Sequence, residues 1–114
     1  QMDDIRWLNR AWFAGVPASW SSGQSPTNDE LYSYILQTGI GPSIPNRTGL
    51  ERANGVMTDE QWMRYAKTRG KLMKDEMKRG LPKLTRLPRE EAENLMSRIS
   101  ADATTRAKKQ LGLK

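Results

Sequence analysis

Apolar and polar positions alternate with helical periodicity over residues 58–79. The apolar positions recur at spacings close to three and four: Trp62, Tyr65, Ala66, Met73 and Met77. Between them lie basic residues: Arg64, Lys67, Arg69, Lys71, Lys74 and Lys78. Because this pattern is typical of an amphipathic helix, residues 58–79 are predicted to form one, with an apolar face that packs and a basic face that is solvated.

The ends of this helix are marked by local signals. Thr58 and Gln61 are three residues apart, which is the spacing of a capping box. Gly80, followed by Leu81-Pro82, predicts the end of the helix, since proline cannot continue it. Gly70 lies inside the predicted helix, where a glycine costs about 1 kcal/mol relative to alanine, so a bend or a close packing contact is expected there.

A second apolar stripe predicts a helix over residues 88–111. Its members are Ala92, Leu95, Met96, Ile99, Ala103, Ala107 and Leu111. Pro88 suits the first helical position, and Gly112 suits the C-terminal cap. The two helices are predicted to pack as a hairpin through Trp62, Tyr65, Met73, Leu95, Ile99 and Ala103.

The N-terminal part of the chain has shorter elements. Residues 3–14 carry apolar side chains at helical spacing and end at Gly15, and residues 15–26 are rich in Gly, Ser and Pro. A second short helix is predicted after Thr27, with Leu31, Tyr34 and Ile35 on its apolar side and Gly39 as its stop. Two prolines and two glycines predict an extended loop over residues 40–49.

These elements define a mainly α fold. The small helical domain, two C-terminal helices packed as a hairpin, is preceded by an extended, loop-rich N-terminal arm with one or two short helices. The predicted division places the arm at residues 1–49 and the basic hairpin module at residues 50–114. The hydrophobic fraction of 36% predicts a small core.

Composition argues against catalysis. The chain has no His and no Cys, which excludes Ser-His and Cys-His nucleophiles, disulfides and ordinary zinc sites. Its paired acids lie where they favour a helix start, at Asp29/Glu30 and at Glu90/Glu91/Glu93. The chain is therefore predicted not to be an enzyme, and no catalytic, cofactor-binding or metal-binding residue is assigned. There is also no apolar run of about 18 residues that would span a membrane, and the start at Gln1 suggests a piece of a longer polypeptide.

Charge is concentrated in the C-terminal half. Residues 51–114 carry 16 basic and 9 acidic residues, whereas residues 1–50 carry three basic and four acidic ones. The basic face is expected either to be solvated or to contact DNA phosphates or an acidic partner. The candidate contact residues are Lys67, Lys71, Lys74, Lys78 and Arg79. No helix-turn-helix or RNA-binding signature accompanies them.

Large aromatic residues are concentrated near the N-terminus. Trp7, Trp12, Phe13 and Trp20 lie in the predicted arm, which has little regular structure to bury them. Packing in an ordinary core is the alternative, and the prediction is that they anchor the arm on another protein subunit, either a copy of this chain or a different protein. The loop at 40–49, with Ile44, is assigned to the same partner surface.

One segment resembles a known family. The resemblance is carried by Met57-Thr58-Asp59-Glu60-Gln61-Trp62-Met63-Arg64-Tyr65, then by Gly70, residues 84–87 and the terminal helix. It is to the C-terminal region of large bacteriophage virion proteins: tail tape measure proteins, internal virion or ejection proteins, and long multidomain structural polypeptides. In these a Leu-Thr-(Asp/Pro)-Glu-Glu-Tyr-x-Arg-Tyr helix leads through a glycine to a linker and a final helix rich in Ala, Arg and Lys.

The resemblance covers residues 50–114 and implies a structural role without catalytic residues or cofactors. The resulting prediction is an assembly segment that docks onto other virion subunits, as a homo-oligomer or a hetero-complex. The expected location is the virion, after synthesis in the bacterial host cytoplasm. The alternative prediction is a basic helical module that contacts DNA in the virion or during packaging.

Overall fold

The computed structural model describes residues 25–114, which form four helices and no strand. These are α1 (Ser25–Thr38), α2 (Arg47–Asn54), α3 (Asp59–Leu84) and α4 (Arg89–Gln110). The mainly helical fold class is confirmed, and so are the two long C-terminal helices that pack together. The predicted helix at residues 3–14 lies outside the described residues.

The start of α3 confirms the predicted capping box. The backbone N–H of Gln61 donates to Thr58 Oγ1 at 3.0 Å, and the N–H of Thr58 donates to Gln61 Oε1 at 2.9 Å. Asp59 and Glu60 occupy the first turn, where negative charge complements the helix dipole. Local sequence therefore determines where α3 begins.

The predicted end of α3 is wrong, because the helix continues through Gly80 and Pro82 to Leu84. Leu81 and Leu84 are both buried in the continuation. Burying a leucine contributes about 1.5–3 kcal/mol, so the two together offset a proline cost of about 3 kcal/mol. Tertiary packing thus overrides the local stop signal, and only residues 85–88 connect α3 to α4.

Both ends of α4 lie close to their predicted positions. Pro88 is the N-cap residue and the helix begins at Arg89, one residue later than predicted. Gly112 has φ +69, as a left-handed C-terminal stop requires. The N–H of Leu113 donates to the Lys108 carbonyl at 2.8 Å and that of Gly112 to the Lys109 carbonyl at 3.4 Å, which is a Schellman motif.

The apolar side chains form two clusters along the hairpin. The main core joins α1, α3 and α4, and the small core joins α2, the start of α3 and the end of α4. The main core contains Leu31, Tyr32, Tyr34, Ile35, Ile40, Met73, Met77, Leu81, Leu84, Ala92, Met96, Ile99 and Ala103. The small core contains Leu50, Met57, Tyr65 and Ala107, with Trp62, Leu72, Leu111 and Leu113 partly buried against it.

The hairpin contacts agree with the predicted stripes. Tyr65, Met73, Ile99 and Ala103 are buried, as predicted. Trp62 and Leu95 are only partly buried. The stripes therefore identify the packed faces of α3 and α4, although their edges reach the surface.

The N-terminal segment differs from the prediction in three respects. α1 begins at Ser25, before the predicted Thr27 cap, and it ends as predicted before Gly39, which has φ +74. Residues 31–40 contribute to the main core, so the division at residue 49 separates segments that pack together. The extended loop ends at Asn46 and not at residue 49, because Asn46 caps α2 by accepting a hydrogen bond from the Gly49 N–H at 3.1 Å.

Candidate anion-binding site

The predicted basic residues of α3 are distributed between the surface and the interior. Lys67, Lys71 and Arg79 are exposed, and Lys78 is partly buried. Lys74 is completely buried, so its assignment to a solvated basic face is wrong. Within the part of the chain that the structure describes, no helix combines the length and the apolar character needed to cross a membrane.

Lys74 is buried because α1 covers its side of α3. Its Nζ lies 5.2 Å from the centroid of the Tyr32 ring, a cation–π geometry. Burial, together with the nearby charge of Lys78, lowers the pKa of Lys74 to about 8. The sequence pattern missed this environment because it did not place Tyr32 on the packed side of α1.

Arg69 is the second basic residue that the pattern misplaced. It was assigned to the basic face, yet only 2% of the residue is exposed. Its Nε donates to Thr104 Oγ1 at 2.8 Å, and its Nη2 donates to the Ser43 carbonyl at 3.0 Å and to Ser43 Oγ at 2.6 Å. Arg69 therefore links α3 to α4 and to the segment that connects α1 and α2.

Helical spacing explains why Arg69 lies in the interior. It follows Tyr65 by four residues and precedes Met73 by four, so it shares their packed face. The connecting segment crosses this face, and there the Ser43 N–H donates to Ser100 Oγ at 3.1 Å. The signal in the sequence was thus the register of Arg69 between two core residues, which its charge obscured.

A cavity of about 320 Å³ opens beside Arg69. Its buried floor is formed by Leu50, Tyr65 and Arg69, and its rim includes the exposed residues Ser43, Ile44 and Asn46. The remaining lining residues are Pro45, Gly49, Thr104 and Lys108. Three helices and the connecting segment contribute to it, so the cavity exists only in the folded chain.

The cavity is electropositive because its cations have no acidic counterpart in the part of the chain that the structure describes. None of the described lining residues is acidic, and neither Arg69 nor Lys108 forms an ion pair with a described residue. Nη1 of Arg69 is buried and has no hydrogen-bond partner among the described residues. Burial lowers the pKa of Arg69, an effect that Tyr65 partly opposes.

The side chains around the cavity are suited to binding an anion. Guanidinium, ammonium, hydroxyl and amide groups surround an open volume, and together they can donate hydrogen bonds to an oxyanion. Among residues 30–114, whose side chains the structure describes, no group of three His, Cys, Asp or Glu side chains is placed to hold a metal ion.

The structure brings together only part of the predicted partner surface. Ile44 is 60% exposed and lies at the rim of the cavity, whose floor includes Arg69. None of the five predicted basic contact residues, Lys67, Lys71, Lys74, Lys78 and Arg79, lines the cavity. Trp7, Trp12, Phe13 and Trp20 lie outside the described residues.

Comparisons with protein-family models, with curated proteins and with solved structures found no match. The resemblance of residues 50–114 to virion proteins therefore stays a prediction. The candidate site is defined by geometry alone, through the burial of Arg69, the cavity beside it and the exposed Ile44.

Proposed function

We propose that this chain is a non-enzymatic helical module by which a bacteriophage virion protein docks onto other virion subunits. The parent protein would be of the tape measure or ejection type, and the chain would belong to its C-terminal part. It would be made in the host cytoplasm and carried in the virion. The resemblance of residues 50–114 supports the class of protein, and the cavity at Arg69 supports docking as its activity.

The observation that carries the proposal is the position of Ile44 beside a buried guanidinium. Ile44 is 60% exposed, so a partner that covered it would gain the free energy of burying its apolar surface. Protein interfaces often combine such an apolar contact with a largely desolvated arginine at the centre of the patch. Ile44 and Arg69 line the same cavity, so one partner segment can contact both.

Particle incorporation tests the proposal directly. The full-length parent protein should co-purify with gradient-purified particles made in the bacterial host. Ile44→Asp should reduce its incorporation by roughly tenfold or more, because removing a hot-spot residue typically costs over 1.4 kcal/mol of binding. Val56→Asp is the matched control, since Val56 is apolar and 94% exposed but does not line the cavity.

Two results would contradict docking through this surface. The first is absence of the wild-type protein from purified particles. The second is equal loss of incorporation for Ile44→Asp and Val56→Asp, which would reflect general damage from a surface charge.

A second candidate function is contact with DNA, and one observation favours it. Arg64, Lys67 and Lys71 are all exposed at spacings of three and four residues on α3, so they share one face. Phosphate contacts make binding weaken steeply with salt. In a plot of the logarithm of the binding constant against the logarithm of the salt concentration, each contact contributes about 0.9 to the magnitude of the slope. The double variant Lys67→Gln/Lys71→Gln should therefore lower the slope for duplex DNA by roughly two, and Lys109→Gln on α4 serves as the control. Salt-independent or absent binding would reject this candidate.

A further inference from the structure

The charge of Arg69 is not compensated within the described part of the chain. Its three hydrogen bonds all go to neutral oxygens, on Thr104 and Ser43. A buried ion is normally paired with an opposite charge, because removing it from water is costly. Among the described residues, no carboxylate pairs with Arg69 and Nη1 has no hydrogen-bond partner. The guanidinium therefore needs a counter-ion that residues 30–114 do not supply.

A purely structural role explains only part of this geometry. Nε and Nη2 hold the connecting segment at Ser43 against α4, which is a sufficient reason for hydrogen bonds there. It explains neither the absence of a described partner for Nη1 nor the open volume that the Arg69 residue lines. A water occupies about 30 Å³ of the liquid, so a cavity of about 320 Å³ is far larger than one structural water needs.

The surroundings of the cavity match an acidic side chain. Leu50 and Tyr65 provide apolar surface that suits the methylene stem of an aspartate or glutamate. Lys108 is half-buried in the wall and supplies a second cation. Ile44 at the rim offers contact to an apolar neighbour of that acidic residue.

We propose that this cavity binds a single carboxylate, contributed by an acidic side chain of the docked protein partner, with Arg69 and Lys108 as its cationic ligands. This rests on the proposed docking function. A protein side chain can extend from its backbone to the buried floor, whereas the phosphates of duplex DNA lie on the outside of a rigid rod. The carboxylate would lie against the Arg69 guanidinium and neutralise its charge, and a small shift of the Arg69 side chain would let the buried Nη1 donate to it.

Titration of the full 114-residue chain with small anions tests this without the partner. Sodium acetate and inorganic phosphate are added at constant ionic strength, set with chloride, and followed by NMR at the Arg69 side-chain Nε–H and the Gly49 amide. Acetate should give a saturable shift at both positions with millimolar affinity. A salt effect on exposed charges would not saturate and would not be confined to the cavity.

Two pairs of variants assign the ligands. Lys108→Gln should weaken acetate binding by roughly tenfold, because one hydrogen bond to a charged group strengthens binding by about that factor. Lys109→Gln, at the exposed neighbouring position, should leave binding unchanged. Arg69→Gln should abolish binding, and Arg106→Gln, which removes an exposed arginine paired with Glu76, is its control. If Arg69→Gln fails to fold, the Lys108 and Lys109 pair still decides the question.

The outcomes separate this inference from docking itself. No saturable shift with either anion would overturn the site, and tighter binding of phosphate than of acetate would overturn its assignment to a carboxylate. Neither result depends on particle incorporation. Acetate could bind while the parent protein is absent from particles. That result would contradict the proposed function, and the anion site would then have no virion subunit as its partner.

Discussion

The main core and the small core are stabilised by different interactions. In the main core, α1 lies against α3 and α4, and Leu31, Met73, Met77 and Ala103 have no exposed surface. The small core has fewer buried apolar residues and more polar anchors. Arg47 contacts Asp59 Oδ1 and the Met57 carbonyl, each at 2.8 Å.

The difference predicts unequal stability along the hairpin. Burial of an apolar side chain contributes about 1.5–3 kcal/mol, whereas a net hydrogen bond contributes about 1 kcal/mol and an exposed ion pair about 0–1 kcal/mol. The main core should therefore dominate the free energy of unfolding. The small core, which lies beside the Arg69 cavity, should open more easily, as binding regions often do.

The largest expected effect is at Met73 in the main core. Met73→Ala should lower the free energy of unfolding by about 2–5 kcal/mol, because it leaves a cavity among fully buried neighbours. Urea denaturation followed by circular dichroism measures the loss. Leu50→Ala in the small core should cost less, since α2 can detach locally. An equal or larger loss for Leu50→Ala would contradict the ranking of the two cores.

Lys74 should make the stability of the main core depend on pH. Its pKa of about 8 lies below the ordinary 10.5, so between these values the unfolded chain binds a proton that the folded chain has released. Stability attributable to Lys74 therefore rises as the pH increases from about 8 to 10.5 and is lowest below pH 8. Lys74→Met should remove this rise and stabilise the protein at pH 7 by about 1–3 kcal/mol.

Urea denaturation at pH 7 and pH 9.5 measures this change, with Lys71→Met at an exposed position as the control. The pKa of Lys78 is also lowered and that of Tyr34 is raised, both mainly by burial, so a residual pH dependence should persist in all three proteins. Identical pH dependence in wild type and Lys74→Met would show that Lys74 is not desolvated.

A smaller effect is expected at Trp62 in the small core. Its ring centroid lies 5.7 Å from that of Tyr65, and the side chain is only partly buried. Trp62→Ala should cost about 1–2 kcal/mol, less than the 3–5 kcal/mol typical of a fully buried tryptophan. Thermal and urea unfolding measure this loss against Val56→Ala, an exposed control. A loss above about 3 kcal/mol would show that the small core is stronger than its burial indicates.

The smallest effect is expected at Asn54, which ties α2 to the last residues of the chain. Its Nδ2 donates to the Lys114 carbonyl at 3.3 Å, and its Oδ1 accepts from the Lys114 N–H at 2.8 Å. Asn54→Ala should cost about 0.5–1.5 kcal/mol. NMR relaxation should show faster motion of residues 112–114 in this variant and not in Gln110→Ala. Unchanged relaxation would mean that Leu111 and Leu113 alone hold this segment.

Local signals predicted the elements whose ends are set by short-range hydrogen bonds. Thr58 and Gln61 form their reciprocal cap, and Gly39 and Gly112 adopt the positive φ expected of helix stops. These features depend on residues within one turn of each other, so a single sequence contains the information. The apolar stripes of α3 and α4 were also predictable from the sequence, because the two helices bury these stripes against each other.

The remaining features depend on residues far apart in the chain. α3 passes its predicted stop because Leu81 and Leu84 pack in the main core, and Lys74 is buried because α1 crosses it. The candidate site was missed for the same reason. Arg69 meets Ser43 and Thr104 across sequence separations of 26 and 35 residues, which no periodicity in α3 reveals.

The position of Gly70 predicts that the two ends of α3 exchange their amide hydrogens by different openings. It lies in α3 between Tyr65 of the small core and Met73 of the main core, and glycine weakens a helix by about 1 kcal/mol relative to alanine. In native-state hydrogen exchange, the amides of residues 63–69 should therefore exchange through a sub-global opening, whereas those of residues 73–81 should exchange only on global unfolding. Because Arg69 belongs to the segment that opens, an anion bound in the cavity should slow exchange selectively on the N-terminal side of Gly70.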